Sequence, residues 1–284
     1  MCKLINDHFQ NYKSYGIQKA QLIIADIPYN LGNNAYASNP SWYEGGDNKN
    51  GESSLAGTEF FDTDKDFRPK EFMHFCSTML KNEPKLTKDE TDILKEENGG
   101  KKLKSKAPCM VVFCEFEQQF YLIELAKQYG LNKYINLVFR KNFSAQVLKA
   151  NMKVVGNTEY ALILYRDRLP KFNNKGKMIF NCMDWPRESR YEKIHPTQKP
   201  VELLERLIEI FTDPGDVVID PVAGSGSTLV AATNCGRRSY GFEIKKDFFK
   251  SAQKWINENK IFNDEIKTLG FAKTELSKLN PTLF

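Results

Sequence analysis

Apolar residues in this chain cluster into short runs separated by amphipathic stretches, the rhythm of strands alternating with helices. Residues 22–25, 107–116, 134–139, 158–165, 217–219 and 239–242 are strand-length runs, several of them rich in β-branched side chains. Runs of this kind suit strands buried on both faces of a parallel sheet. Between them, residues 69–80 place Phe72, Phe75, Cys76 and Met79 on one helical face, and residues 118–129 also read as a helix. From Pro200 onward, Val201, Leu204, Leu207, Ile208 and Phe211 form a stripe spaced three and four apart, and Pro200 itself suits a first helical turn. Residues 246–259 set Phe249, Ala252 and Ile256 on an inward face. Strands and helices in this alternation predict an α/β fold.

The pattern lapses in four places. Residues 1–20 are polar and mixed, and read as a lead-in packed on the domain. Residues 31–66 are rich in Gly, Asn and Ser and carry Trp42, Tyr43, Phe60 and Phe61 without a period. A structureless stretch this long is uncommon in a compact domain unless it serves a function, so it is either a lid over a neighbouring site or a plain insertion. Residues 81–106 hold eight lysines and six acids around Gly99-Gly100, which predicts a flexible surface excursion rather than a core element. Residues 260–284 read as a loosely packed tail.

The chemistry concentrates in GDVVIDPVAGSGSTLVAATNCGRRSYGFEI, residues 215–244. The run 217–219 ends at Asp220-Pro221, and Ala223-Gly224-Ser225-Gly226 follows, with two glycines where the backbone must turn and lie close to a ligand. A helix closes near Gly236, and a second strand ends on Glu243. Strand, glycine loop, helix, strand, acid is half of a Rossmann-type nucleotide site, and the terminal acid suits a ribose diol. The third glycine of the dinucleotide fingerprint is missing, which disfavours a nicotinamide dehydrogenase. An adenosine ligand without a pyrophosphate, such as S-adenosylmethionine, fits better.

A second signal precedes it: the run 22–25 ends in Asp26-Ile27-Pro28-Tyr29-Asn30. A third is His195-Pro196-Thr197-Gln198-Lys199-Pro200, just upstream of the stripe helix and the glycine loop. In this order the three resemble the beta group of DNA amino-methyltransferases, the N6-adenine/N4-cytosine DNA methylases. The likeness covers residues 20–30 and 107–259. It implies a Rossmann-like methyltransferase with a mostly parallel seven-stranded sheet, helices on both faces, and a circular permutation that puts the catalytic half first. The implied organisation is a catalytic half at 1–139 with insertions at 31–66 and 81–106, and a target-recognition region at 140–193. Its strand 158–165 belongs to the core, a cofactor half spans 194–259, and the tail is 260–284.

The resemblance also implies roles. Asp26 would accept a hydrogen bond from the target amine, the backbone carbonyl of Ile27 would accept a second, and Tyr29 would stack on an extruded base. The family's usual first proline is replaced by Ile27, but the group required is a backbone carbonyl, and Pro28 keeps Ile27 extended. Asp220 would bond the methionine ammonium, with Pro221 beside it, and Ala223 to Gly226 would approach the cofactor as bare backbone. Glu243 would take the ribose hydroxyls, while Thr197 and Lys199 would lie near the methionine carboxylate. Val222 stands where the family usually has Phe, and His195 reads as structural. No metal is implied. Asp at position 26 favours adenine N6; N4-cytosine, an RNA target, and a DNA-binding relative with impaired catalysis stay open.

Charge agrees with a polyanionic partner. Residues 133–190 carry twelve Lys/Arg against four Asp/Glu, an excess larger than the +5 of the whole chain. A concentrated basic segment points to nucleic acid, and residues 140–193 are the candidate reader of DNA, where the resemblance would put Lys141-Asn142 near the base pocket. A cognate restriction endonuclease and a homodimer are partners the resemblance leaves open. The six cysteines are scattered without a C-x-x-C pair, no apolar run approaches a membrane span, and Met1-Cys2-Lys3 opens no signal peptide. These features predict a cytoplasmic protein with no membrane partner.

Overall fold

The computed structural model describes residues 1–28, 67–83, 87–97, 99–100, 105–142, 146–149, 154–195 and 197–268. Tyr29, Pro196 and the whole 31–66 stretch proposed as a lid lie outside the described residues, as does the tail beyond Thr268. In chain order the strands are β1 (Cys2–Ile5), β2 (Leu22–Asp26), β3 (Cys109–Cys114), β4 (Lys133–Lys141), β5 (Gln146–Lys149), β6 (Val154–Gly156), β7 (Thr158–Tyr165), β8 (Cys182–Trp185), β9 (Val217–Asp220) and β10 (Arg238–Phe242). The helices are α1 (Pro69–Met79), α2 (Lys88–Glu97), α3 (Phe116–Gln128), α4 (Val201–Phe211), α5 (Ser227–Asn234) and α6 (Lys246–Thr268).

Eight of the strands form one sheet in the order β1-β10-β9-β2-β3-β7-β4-β8, and β5 and β6 make a separate antiparallel pair. Only β7 runs against its neighbours, so the sheet is mostly parallel. The expected count of seven becomes eight. The seventh strand is β1, inside the stretch read as a lead-in, which pairs in parallel with β10 from Cys2↔Ser239 to Ile5↔Phe242. The eighth is β8, inside the basic segment, which adds in parallel to the far half of β4. Each is four residues long and lies at an edge of the sheet, where half the apolar signal of a central strand is absent.

Alternate residues of the central strands feed two cores. Leu22, Ile24, Val111, Phe113 and Val218 face a layer built with α4, α5 and α6. Ile23, Ala25, Met110, Val112 and Ile219 face a layer built with α1 and α3. Helices therefore cover both faces of the sheet. Because β9 is followed by α5 on one face and β2 by α1 on the other, the two crossovers part between these adjacent strands. That is the switch point at which open α/β sheets bind ligands, beyond the carboxyl ends of the strands.

Two helices depart from expectation. Residues 88–97, inside the supposed excursion, are helical, yet α2 lies on the surface and its Ile93 is 56% exposed. Helix α6 continues past residue 259 to Thr268, and its Ile261 and Phe262 are exposed. Polar bonds hold it: Asn259 Nδ2 and Asn263 Nδ2 both donate to Asn234 Oδ1, at 3.0 and 2.9 Å. No helix among the described residues is long and apolar enough to cross a membrane.

Candidate active site

Three acids mark the carboxyl edge of neighbouring parallel strands: Asp26 ends β2, Asp220 ends β9, and Glu243 follows β10. They are close enough to feel one another. Burial pushes the Asp220 carboxyl up to about 7, and repulsion from Asp26 and Glu243 adds to it, while hydrogen bonds from Thr228 and the Val222 amide oppose it. Burial likewise raises Glu243, against the pull of the Lys245 and Gly224 amides. Three carboxyls gathered in one dry place are costly unless a cation comes to them.

The glycine loop supplies the other wall. Gly224 and Gly226 both take left-handed backbone, with φ of 50° and 77°. A Cβ on Gly224 would meet the His195 ring at 3.5 Å, and one on Gly226 would meet Ile256 Cδ1 at 3.0 Å and Ala252 Cβ at 3.3 Å. Gly226 caps α5 and lets α6 pack against the loop. Gly226→Ala is therefore expected to cost about 1–2 kcal/mol from the backbone alone, read as a lower midpoint in thermal unfolding. The Gly224 amide donates to Glu243 Oε2 at 2.9 Å and the Lys245 amide to Glu243 Oε1 at 2.8 Å. The Ile244 amide also bonds this carboxylate, which leaves it acceptor capacity for a diol hydroxyl.

The loop after Asp26 is held from α3. Gln118 Nε2 donates to the Pro28 carbonyl at 2.9 Å, while its Oε1 accepts from the Glu115 amide at 3.0 Å. The Ile27 amide donates to the Phe113 carbonyl at 3.3 Å, a bond proline could not make, and the Ile27 side chain is buried in the core shared with α1 and α3. The unexpected isoleucine thus has a structural reason. Gln118 was not legible as a site residue, although its place three positions into a helix, after an acidic cap, is a capping-box signature.

The third motif lies over both halves. His195 packs edge-on to Phe248 at 4.3 Å, and burial, aided by Lys199, Lys193 and Lys245, lowers its pKa to about 4. The ring is neutral at physiological pH, with Nδ1 accepting from the Thr197 amide at 3.3 Å. That is a packing role. Thr197 is half-buried beside it, its Oγ1 3.2 Å from the same nitrogen. Lys199, expected beside a methionine carboxylate, has its Nζ 2.6 Å from Asp26 Oδ2.

The basic segment is more committed to the fold than its charge suggests. Lys141 pairs with Glu159, Lys171 with Asp213, and Arg190 with Glu205, while Arg166 donates to the carbonyls of Lys81 and Ser77. Arg140 pairs with Asp184 on the surface. Lys171 and Arg190 thus meet acids from outside the segment, and the rest of its positive excess stands.

The edge acids, the glycine loop and the Asp26 loop lie together at the carboxyl edge of the sheet. Residues 20–254 match the N6/N4 methyltransferase family described as DNA methylase. This chain belongs to the DNA methylase family. It is 36% identical over 139 residues to the DNA adenine methyltransferase YhdJ of Escherichia coli (strain K12), a match covering 48% of this chain and 42% of that protein. It is 40% identical over 101 residues to the type II methyltransferase M2.DpnII of Streptococcus pneumoniae, covering 34% of this chain and 38% of the other. The chain thus spans under half the length of these two relatives. The crystal structure of the M1.HpyAVI–SAM complex superposes with a TM-score of 0.60 at 20% identity, over 90% of this chain and all of the other, a likeness of fold.

Methyltransferases of this family use S-adenosylmethionine. The residues present fit it: a buried acid that an ammonium would re-ionise, a bare-backbone loop, and a carboxylate with lone pairs for a diol. Asp220, the 223–226 loop and Glu243 would hold it.

Proposed function

We propose that this chain methylates the exocyclic N6 of adenine in DNA, on a base held out of the duplex. The observation that carries this reading is the position of Asp26, at the end of the strand next to the one that ends in Asp220. An aromatic amine is a poor nucleophile because its lone pair is delocalised into the ring. Hydrogen bonds accepted by the Asp26 carboxylate and the Ile27 carbonyl would favour a pyramidal nitrogen and stabilise the positive charge that develops there. S-adenosylmethionine supplies the electrophilic methyl. Glu243 and Asp220 would fix its two ends, and the proton leaves the amine after transfer, when it is acidic, so no strong base is required. The target atom is inaccessible in stacked DNA, so the base must be extruded.

The aspartate at position 26 and the likeness to a protein named as a DNA adenine methyltransferase support adenine over cytosine. The family description spans N6 and N4, which keeps N4-cytosine as the second reading. Likeness to a type II methyltransferase supports pairing with a cognate restriction endonuclease. The test is to incubate the protein with unmethylated DNA and S-adenosylmethionine, digest to nucleosides, and separate the products by mass. N6-methyldeoxyadenosine is the expected product. N4-methyldeoxycytidine in its place would overturn the assignment of the base, and absence of both would overturn the activity.

A further inference from the structure

The ammonium of Lys199 is enclosed. Its side chain is 8% exposed, its Nζ lies 2.6 Å from Asp26 Oδ2, and it sits over two rings, 5.2 Å from the centre of Phe113 and 5.6 Å from that of Trp185. Phe113 is the register partner of Asp26 across β2 and β3. Trp185 comes from β8, in the basic segment, and carries a second ammonium, that of Lys141, 5.1 Å from its ring centre. Phe113 and Trp185 also touch each other edge-on at 6.3 Å. A buried cation against one carboxylate oxygen and two aromatic faces has little freedom to move, and neither has the carboxylate.

We propose that Lys199 is a positioning residue that fixes the plane and charge of the Asp26 carboxylate, and that Trp185 with Phe113 cages its ammonium, tying the β8 segment to the catalytic acid. The proposal rests on the reading of Asp26 as acceptor for the target amine. The groups around Asp26 show why a cation is required. Asp220 of β9 is a like charge close by, Cys114 at the end of β3 feels the Asp26 carboxylate, and Glu115 at the start of α3 lies within the field of Lys199, Lys141 and Glu159. Beside the like charge of Asp220 a lone carboxyl holds its proton more readily, and a protonated carboxyl accepts poorly from an amine. Lys199 opposes this. Committing Oδ2 to the ammonium also orients the group toward the reacting nitrogen, a geometry that must be kept within a fraction of an ångström. The short strand β8 acquires a role: it delivers Trp185 to this cage.

The test uses the full chain as wild type, Lys199→Met, Lys199→Arg, Trp185→Phe and Trp185→Leu. Carboxyl carbon NMR follows the titration of Asp26 without cofactor, calorimetry gives the cofactor Kd, and steady-state rates give kcat, KM and their pH profiles. In K199M the Asp26 midpoint should rise by about one to three pH units, and the acid limb of kcat should move up with it. At neutral pH kcat should fall on the order of 10²-fold, with the cofactor Kd changed only a few-fold. K199R should restore the midpoint and part of kcat, W185F should stay near wild type, and W185L should fall between wild type and K199M. Unchanged Asp26 titration in K199M would overturn the proposal. So would a cofactor Kd weakened far more than kcat, which would put Lys199 on the methionine carboxylate instead. If wild type proves inactive, the function reading fails, yet the titration still decides whether Lys199 governs Asp26. If K199M does not fold, the titrations of K199R and W185L decide it.

Discussion

Replacing Asp26 by alanine should lower kcat for methyl transfer on the order of 10²–10³-fold, the usual cost of deleting one preorganised group aimed at developing charge. The cofactor Kd should change only a few-fold, because Asp220, Glu243 and the glycine loop would remain in place. Asp26→Asn should recover part of the loss, since its amide oxygen can still accept a hydrogen bond but carries no charge. The measurement is single-turnover transfer of a labelled methyl group to DNA, with calorimetry for the cofactor. Full activity in the alanine variant would remove Asp26 from the chemistry. Loss of cofactor binding on a par with loss of rate would move it to the cofactor side.

The second large effect concerns Asp220 and pH. Its carboxyl is raised to about 7 in the folded protein, chiefly by burial. A ligand ammonium prefers the ionised form, so binding below pH 7 must first remove a proton. Cofactor affinity should therefore fall as pH falls, approaching tenfold per pH unit well below about pH 7, and level off above it. Asp220→Asn should bind weakly and with little pH dependence over the same range. Stability takes the opposite sign. An acid whose folded pKa exceeds its unfolded value keeps its proton longer in the fold, so the wild type loses stability as pH rises from about 4 to about 7. Asp220→Asn should lack that loss, and its thermal midpoint relative to wild type should rise over the same window. A parallel pH response in both proteins would show that Asp220 is not the group responsible.

The central architecture was legible because it is written in β-branched runs. The runs at 22–25 and 217–219 name two adjacent strands, and the acids that end them name the edge at which ligands bind. The glycine loop was legible for a related reason: Gly224 and Gly226 adopt backbone that other residues reach only at a cost. Edge strands were not. Lys3 and Asp184 interrupt β1 and β8 with exposed polar side chains, and four residues carry too little period to separate a strand from a loop. The end of α6 escaped because asparagine bonds hold it to Asn234. Within the site, residue types and spacing gave Asp26, Asp220 and Glu243 but not the partner of Lys199. Its contact with Asp26 spans 173 positions along the chain and depends on how two halves of a sheet meet. Composition likewise could not tell which cations the fold uses: Lys171 and Arg190 are ion-paired within it.

The pairing of β1 with β10 has a consequence for biosynthesis. Cys2–Ile5 is made more than two hundred residues before its hydrogen-bonding partner Arg238–Phe242. Until β10 is made, β1 has no strand to pair with, and the Glu243 amide that later bonds the Ile5 carbonyl does not yet exist. Nascent chains therefore carry an unpaired β-segment until β10 emerges, the state in which polypeptides stick to one another and recruit chaperones. A premature stop ahead of residue 238 would leave β1 without its partner strand, even with β2, β3 and β9 already made.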